Sequence, residues 1–125
     1  MNKKPGTIGW FDLTISNAKE VTDFYEAVLG WKPELVSMGD YNDYNMTIDG
    51  IPQAGVCHKK GPNEHLPSTW MIYINVENIE TSAQAVVEKG GELLGEIREM
   101  KGYGKFCFIK DPAGAASALF EPEIE

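Results

Sequence analysis

The chain of 125 residues predicts an α+β fold, with two tandem βαβββ modules forming a curved mixed sheet around a concave cavity. Three observations predict it. First, the segment from Trp10, WFDLTISNAKEVTDFYEAVLG, overlies the segment from Met71, MIYINVENIETSAQAVVEKGG, without a gap at a shift of 71 − 10 = 61 positions. Second, both segments read as strand, turn, helix and glycine stop. Third, each is followed by three short strand candidates separated by turn formers.

The elements follow in order. Phe11, Leu13 and Ile15 alternate with Trp10, Asp12 and Thr14, the period of a strand with one strongly apolar face. Asn17 is placed to cap a helix with Glu20 at its third position. Val21, Phe24, Tyr25, Val28 and Leu29 recur at helical spacing, and Gly30 supplies a left-handed stop. In the second module Ile72, Ile74 and Val76 alternate with Met71, Tyr73 and Asn75. Asn78 stands where a cap is wanted, Ile79, Ala83 and Val86 form the expected buried stripe, and Gly90-Gly91 closes the helix. The remaining strands are expected at Lys32 to Ser37, Tyr44 to Ile48 and Gln53 to His58, then at Glu92 to Ile97, Lys105 to Ile109 and Ala116 to Phe120. Asp49-Gly50-Ile51-Pro52 and Asp111-Pro112-Ala113-Gly114 are the turns between them. At the same shift Cys57 falls on Ala118, which predicts one register for the whole module.

The domain expectation is a single domain over 1–125, made of half-repeats at about 7–60 and 68–124, with Gly61 to Ser68 as the linker. That length buries about two-thirds of the unfolded surface in one core. The net charge of −8 comes from scattered acidic residues. Such a surface repels phosphate backbones and anionic lipid, so neither nucleic acid nor a membrane is an expected partner. Cys57 and Cys107 belong to no CxxC pair, and no secretory or long apolar segment is present, so a reducing cytoplasm is the expected compartment.

By alternation, Trp10, Asp12, Thr14, Met71, Tyr73 and Asn75 face away from the helices, a mixture of aromatic, polar and small groups that suits a ligand pocket or a filled secondary core. Asp12 is the candidate acid/base or ligand anchor. Its other reading is a structural carboxylate bonded to a backbone N–H or to Tyr73. Tyr44 and Tyr103 join the candidate cavity residues. Tyr103 lies in Lys101-Gly102-Tyr103-Gly104-Lys105, a glycine-rich stretch expected to be a hairpin turn. Cys57 is a candidate nucleophile or an inert thiol, while His58 is expected on the opposite face and His65 in the linker.

The duplicated pattern, DFYEAVLGWKPE at Asp23 to Glu34 and DPAGAASALFEPE at Asp111 to Glu123 resemble the glyoxalase/bleomycin-resistance/extradiol-dioxygenase (vicinal oxygen chelate) superfamily, over about Gly6 to Glu123. The resemblance implies a glyoxalase-like fold. In the enzymes of that superfamily it also implies one divalent metal held by His, Glu or Gln from the first and last strands of each module. Those positions fall on Trp10, Cys57, Met71 and Ala118, so no metal and no other cofactor is expected. The expected function is binding of a small aromatic or apolar compound in the cavity, lined by Trp10, Asp12, Thr14, Tyr44, Cys57, Met71, Tyr73, Tyr103 and Ala118. The alternative is a lyase or dioxygenase resembling lactoylglutathione lyase, metal-independent or with displaced metal ligands. The resemblance also implies a homodimer.

Overall fold

Period-two alternation and two helical stripes produce the elements of a computed structural model that describes residues 3–123. The ends of the expected domain, residues 1, 2, 124 and 125, lie outside the described residues. Among the described residues two helices and nine strands run in the order β1 (Ile8–Ile15), α1 (Ala18–Leu29), β2 (Lys32–Ser37), β3 (Asn42–Ile48), β4 (Ile51–His58), β5 (Trp70–Asn75), α2 (Ile79–Glu88), β6 (Glu92–Leu93), β7 (Arg98–Met100), β8 (Gly104–Lys110) and β9 (Ala116–Pro122). The fold is α+β. A 3-10 turn at Gly61–Asn63 occupies the expected linker. No helix among the described residues is long and apolar enough to cross a membrane.

The chain divides into two compact units, one of Phe11–Trp70 and one of the segment ending at Trp10 with the segment from Met71. In the first unit β1 pairs with β4 in parallel, and β3 is antiparallel to both β4 and β2. Asp49 and Gly50 join β3 to β4 with φ of 51° and 75°. Positive φ at both central positions marks the hairpin turn that matches strand twist. The core is Leu13, Ile15, Ala18, Met46 and Val56, with Val21, Tyr25, Trp31, Tyr44 and Trp70 packed against it. Met46 and Val56 are wholly buried, each contributing roughly 1.5–3 kcal/mol of transfer free energy.

Helix α1 differs from its expected stripe. Ala18 and Thr22 are its buried residues, and Val21 and Tyr25 pack on the core, while Phe24, Val28 and Leu29 are about half exposed. The small side chain of Ala18 lets the helix join the buried cluster of Leu13, Ile15, Met46 and Val56. Phe11, expected beneath it, is 46% exposed. Asn17 makes no side-chain cap; its amide instead donates to Glu20 Oε1 at 3.4 Å. Gly30 closes the helix at φ 77°, as expected.

In the second unit β5 and β9 are parallel, β8 is antiparallel to β9, and β6 and β7 both pair with β8. Backbone groups of Gly6 and Thr7 bond to Asn75 at 2.8 Å. Asn78 caps α2 by accepting from the Thr81 N–H at 2.9 Å. The core is Ile79, Ala83, Cys107, Ile109 and Leu119, joined by Val86 of the expected stripe. Of the strand expected over Glu92 to Ile97 only Glu92–Leu93 (β6) forms; Gly95, at φ 122°, follows it, and a second short strand, β7, begins beyond the expected range at Arg98.

Comparison of the two cores corrects the expected register. Ala18 and Thr22 correspond to Ile79 and Ala83 at 79 − 18 = 61, but Met46 and Val56 correspond to Ile109 and Leu119 at 109 − 46 = 63. Two extra residues therefore enter the second module between its helix and β8, in the stretch where the strand is broken. Cys57 is the counterpart of Phe120, at 120 − 57 = 63, and Ala118 is the counterpart of Gly55.

Candidate functional site

Cross-strand register sorts the first unit into two faces. Leu13, Val56, Tyr44 and Leu35 are in line across β1, β4, β3 and β2, on the side of the α1 core. Tyr44, expected in the cavity, is thus placed against the core, because it shares a parity with Met46. Asp12 pairs with Gly55 and Thr14 with Cys57 on the other face. Thr14 is buried, and Asp12 and Cys57 are half-buried.

That second face holds an acidic group around one thiol. Cys57 Sγ donates to Asp12 Oδ2 at 3.5 Å. Burial first, and then the charges of Asp12 and Asp43, push the thiol far above its ordinary value. A thiol so held is a hydrogen-bond donor and not a nucleophile. Asp43, itself buried, accepts from the His58 backbone N–H at 2.8 Å and lies 3.3 Å from His58 Nδ1. The His58 ring packs edge-on to Tyr41 at 5.4 Å between centroids, and Lys60 Nζ stands 4.4 Å from the Tyr41 ring centre.

In the second unit the corresponding face is aromatic. β5, β9 and β8 align Tyr73 with Ala118 and Ala118 with Phe108, while β7 aligns Arg98 with Phe106. The Tyr73 and Phe108 rings meet edge to face at 6.1 Å, and Phe106 meets Phe108 the same way at 5.6 Å. The Arg98 guanidinium carbon lies 4.7 Å from the Phe106 centroid and 5.4 Å from that of Phe108. Met71 and Ala118 are buried, Trp10 is half-buried, and Tyr103 is 67% exposed in the turn of the β7–β8 hairpin.

Asp43, Arg98, Phe106 and Phe108 were not among the residues expected at the site. The alternation in Lys105-Phe106-Cys107-Phe108-Ile109 marks one face of β8. Only cross-strand register, however, shows that Arg98 shares that face and that Phe106 and Phe108 stand beside Tyr73.

The glyoxalase/bleomycin resistance protein/dioxygenase superfamily model matches residues 7–118, and the chain belongs to that superfamily. Two curated relatives are CFP32 of Mycobacterium tuberculosis, 26% identical over 94% of this chain and 44% of its own length, and the anthracycline biosynthesis protein DnrV of Streptomyces peucetius, 28% identical over 96% and 48%. The chain spans about half the length of both. Among solved structures, hypothetical protein BH1468 from Bacillus halodurans C-125 superposes with a TM-score of 0.65 at 19% identity, covering 98% of each chain.

The superfamily implies a metal position in each strand that carries Trp10, Met71 and Ala118, and the observed register assigns the fourth to Gly55 as the counterpart of Ala118. Indole, thioether, methyl and glycine offer no carboxylate or imidazole, and replacing Cys57 by Gly55 removes the one thiol from the set. This donor chemistry does not fit a divalent ion. Among the described residues no group of three or more His, Cys, Asp and Glu is arranged to hold one.

Proposed function

We propose that the chain binds a small aromatic or apolar compound and does so without a catalytic metal. The single observation that carries this reading is the aromatic group of Tyr73, Phe106 and Phe108, set edge to face on the sheet surface opposite the α2 core. Phe108 is buried beneath, so the half-buried Tyr73 and Phe106 present the ring surface, and each ring pair made with a planar molecule is worth roughly 0.5–1.5 kcal/mol beyond the area buried. DnrV, a relative named for anthracycline biosynthesis, supports the same ligand class, since anthracyclines are polycyclic aromatics.

Calorimetric titration with the neutral probe 2-naphthamide tests this. The expected result is saturable binding that weakens about tenfold or more in Phe106→Ala, the range reached when an aromatic anchor is truncated. Undetectable binding at millimolar probe, or unchanged affinity in that variant, overturns the proposal.

Free thiols at Cys57 and Cys107 support a cytoplasmic setting, and membership of a superfamily whose single-domain members commonly pair supports a homodimer. Sedimentation equilibrium giving a monomer at micromolar concentration would refute the dimer.

A second reading, a metal-independent enzyme of this superfamily, is favoured by the half-buried Asp12 carboxylate on the face away from the core. It requires turnover of a hemithioacetal or catechol that Asp12→Asn abolishes.

A further inference from the structure

We propose that His58 is an open hydrogen-bond acceptor, held by Asp43 with its proton on Nδ1, and that the site it forms with Tyr41 takes a neutral phenol. The inference concerns the unit of Phe11–Trp70 and does not depend on the aromatic group of the other unit.

Strand geometry sets the pair. β3 and β4 run antiparallel with Tyr44 opposite Val56, which brings Asp43, near the start of β3, beside His58, the last residue of β4. One carboxylate oxygen, Oδ1, then accepts from the His58 backbone N–H at 2.8 Å and meets Nδ1 of the same residue at 3.3 Å. The imidazole is thus tethered both at its backbone and at its ring. The His58 side chain is 19% exposed and that of Asp43 11%, so water competes little for the bond between them.

Donor and acceptor roles follow from that contact. A carboxylate oxygen that takes a backbone N–H is offering lone pairs, so the ring nitrogen facing it is the one that carries hydrogen. In the neutral ring the remaining lone pair is therefore on Nε2. Among the described residues nothing bonds to Nε2, and no buried side-chain nitrogen or oxygen lacks a partner, so Nε2 is reached by solvent.

The surroundings select the donor that Nε2 would meet. The Tyr41 ring stands edge to face with the imidazole at 5.4 Å, and Tyr44 lies tilted to it at 6.0 Å. An aromatic rim favours an aromatic ligand. Burial first, then the charges of Asp43 and Asp40, hold the Tyr41 hydroxyl above its ordinary value, and the same carboxylates oppose an anion beside it. Lys60 Nζ, 4.4 Å from the Tyr41 ring centre, offsets only one of them. A neutral phenol meets both conditions, because its ring packs on tyrosine while its hydroxyl is a stronger donor than that of an alcohol.

The test is NMR of the full chain carrying 15N-labelled histidine, at about pH 8.5, above the ordinary histidine value of about 6.5. The chain has two histidines, so H65Q assigns the signals. His58 should show a pyrrole-type Nδ1 and a pyridine-type Nε2. D43N, which retains an acceptor oxygen, should keep that pattern, and D43A should lose it. 2-Naphthol should move the Nε2 signal saturably in the direction of an accepted hydrogen bond. 2-Methoxynaphthalene, which keeps the rings and lacks the donor, should bind about three- to tenfold more weakly, the scale of one net hydrogen bond, and produce no such movement.

A pyridine-type Nδ1 in the wild type overturns the inference, and so does retention of the pattern in D43A. An Nε2 signal that millimolar 2-naphthol fails to move, or that both probes displace alike, also overturns it. Should D43A not fold, the wild-type tautomer and the two-probe comparison decide the matter alone.

Discussion

The Cys57 thiol donates to Asp12 Oδ2 across 3.5 Å, with the second carboxylate of Asp43 also acting on it. Two anionic neighbours and a buried sulfur oppose thiolate formation together, so the side chain is held as a neutral donor.

The pH dependence follows from that direction. The folded thiol titrates above the ordinary value of 9.0, so the folded state retains the proton that the unfolded chain gives up. The stabilisation is fully present below about pH 9 and is lost as pH rises beyond it. Thermal unfolding between pH 7 and 10.5 should show a decline above pH 9 that is shallower in Cys57→Ala. Cys107, raised by burial alone, leaves a residual slope. At pH 8, iodoacetamide should label Cys57 far more slowly than a free thiol, as read by peptide mass spectrometry.

Two asparagines at counterpart positions part company in the structure. Asn78 accepts from the Thr81 N–H, whereas Asn17 has no capping bond. Asn78→Ala should therefore cost about 1 kcal/mol in urea unfolding and Asn17→Ala only a few tenths. Equal costs would mean that Asn17 caps its helix in solution.

The second cap, the Asp-Gly hairpin and the parity of β1 and β5 were legible in the sequence because each is decided within a few residues. The α1 stripe was less so. Val28 and Leu29 fit a helical period as well as Ala18 and Thr22 do, and only the folded packing, with Ala18 in the cluster of Met46 and Val56, shows that the small residues are the buried ones. The shift from 61 to 63 was illegible because the two added residues lie between Gly91 and Gly104, where a broken strand carries no sustained apolar period. Everything downstream inherited that error, which is why Cys57 stood for Gly55. The cross-strand placement of Arg98 over Phe106 depends on the same register and was equally out of reach.

Gly104 marks the end of that stretch and is the least replaceable position in it. Its φ is 149°, and an added Cβ would lie 2.1 Å from the Glu121 carbonyl oxygen on β9. Backbone meets backbone there, so no side chain can yield. Gly104→Ala should cost roughly 3 kcal/mol or more, by combined strain and displacement of β8 from β9. Gly114→Ala, at φ 86° with nothing within 4 Å, should cost about 1 kcal/mol. Denaturant midpoints of the two variants make the comparison, and similar values would contradict the close approach of β8 and β9.

The proposed metal independence has a quantitative signature of its own. A site with micromolar affinity, exposed to metal at a hundredfold excess over that value, would stabilise the folded chain by about 2.7 kcal/mol. In a domain of this size that is a rise of roughly 10 °C in Tm. With tryptophan, glycine, methionine and alanine at the superfamily's ligand positions, neither Zn²⁺, Mn²⁺ nor Ni²⁺ at 100 μM (about that excess) should move the transition by more than a degree or so. Chelator treatment should leave Tm and 2-naphthamide affinity unchanged. A stabilisation by one metal and not the others would locate donors outside those four positions, and Asp12→Asn and Asp43→Asn would then show whether the acidic face around Cys57 supplies them.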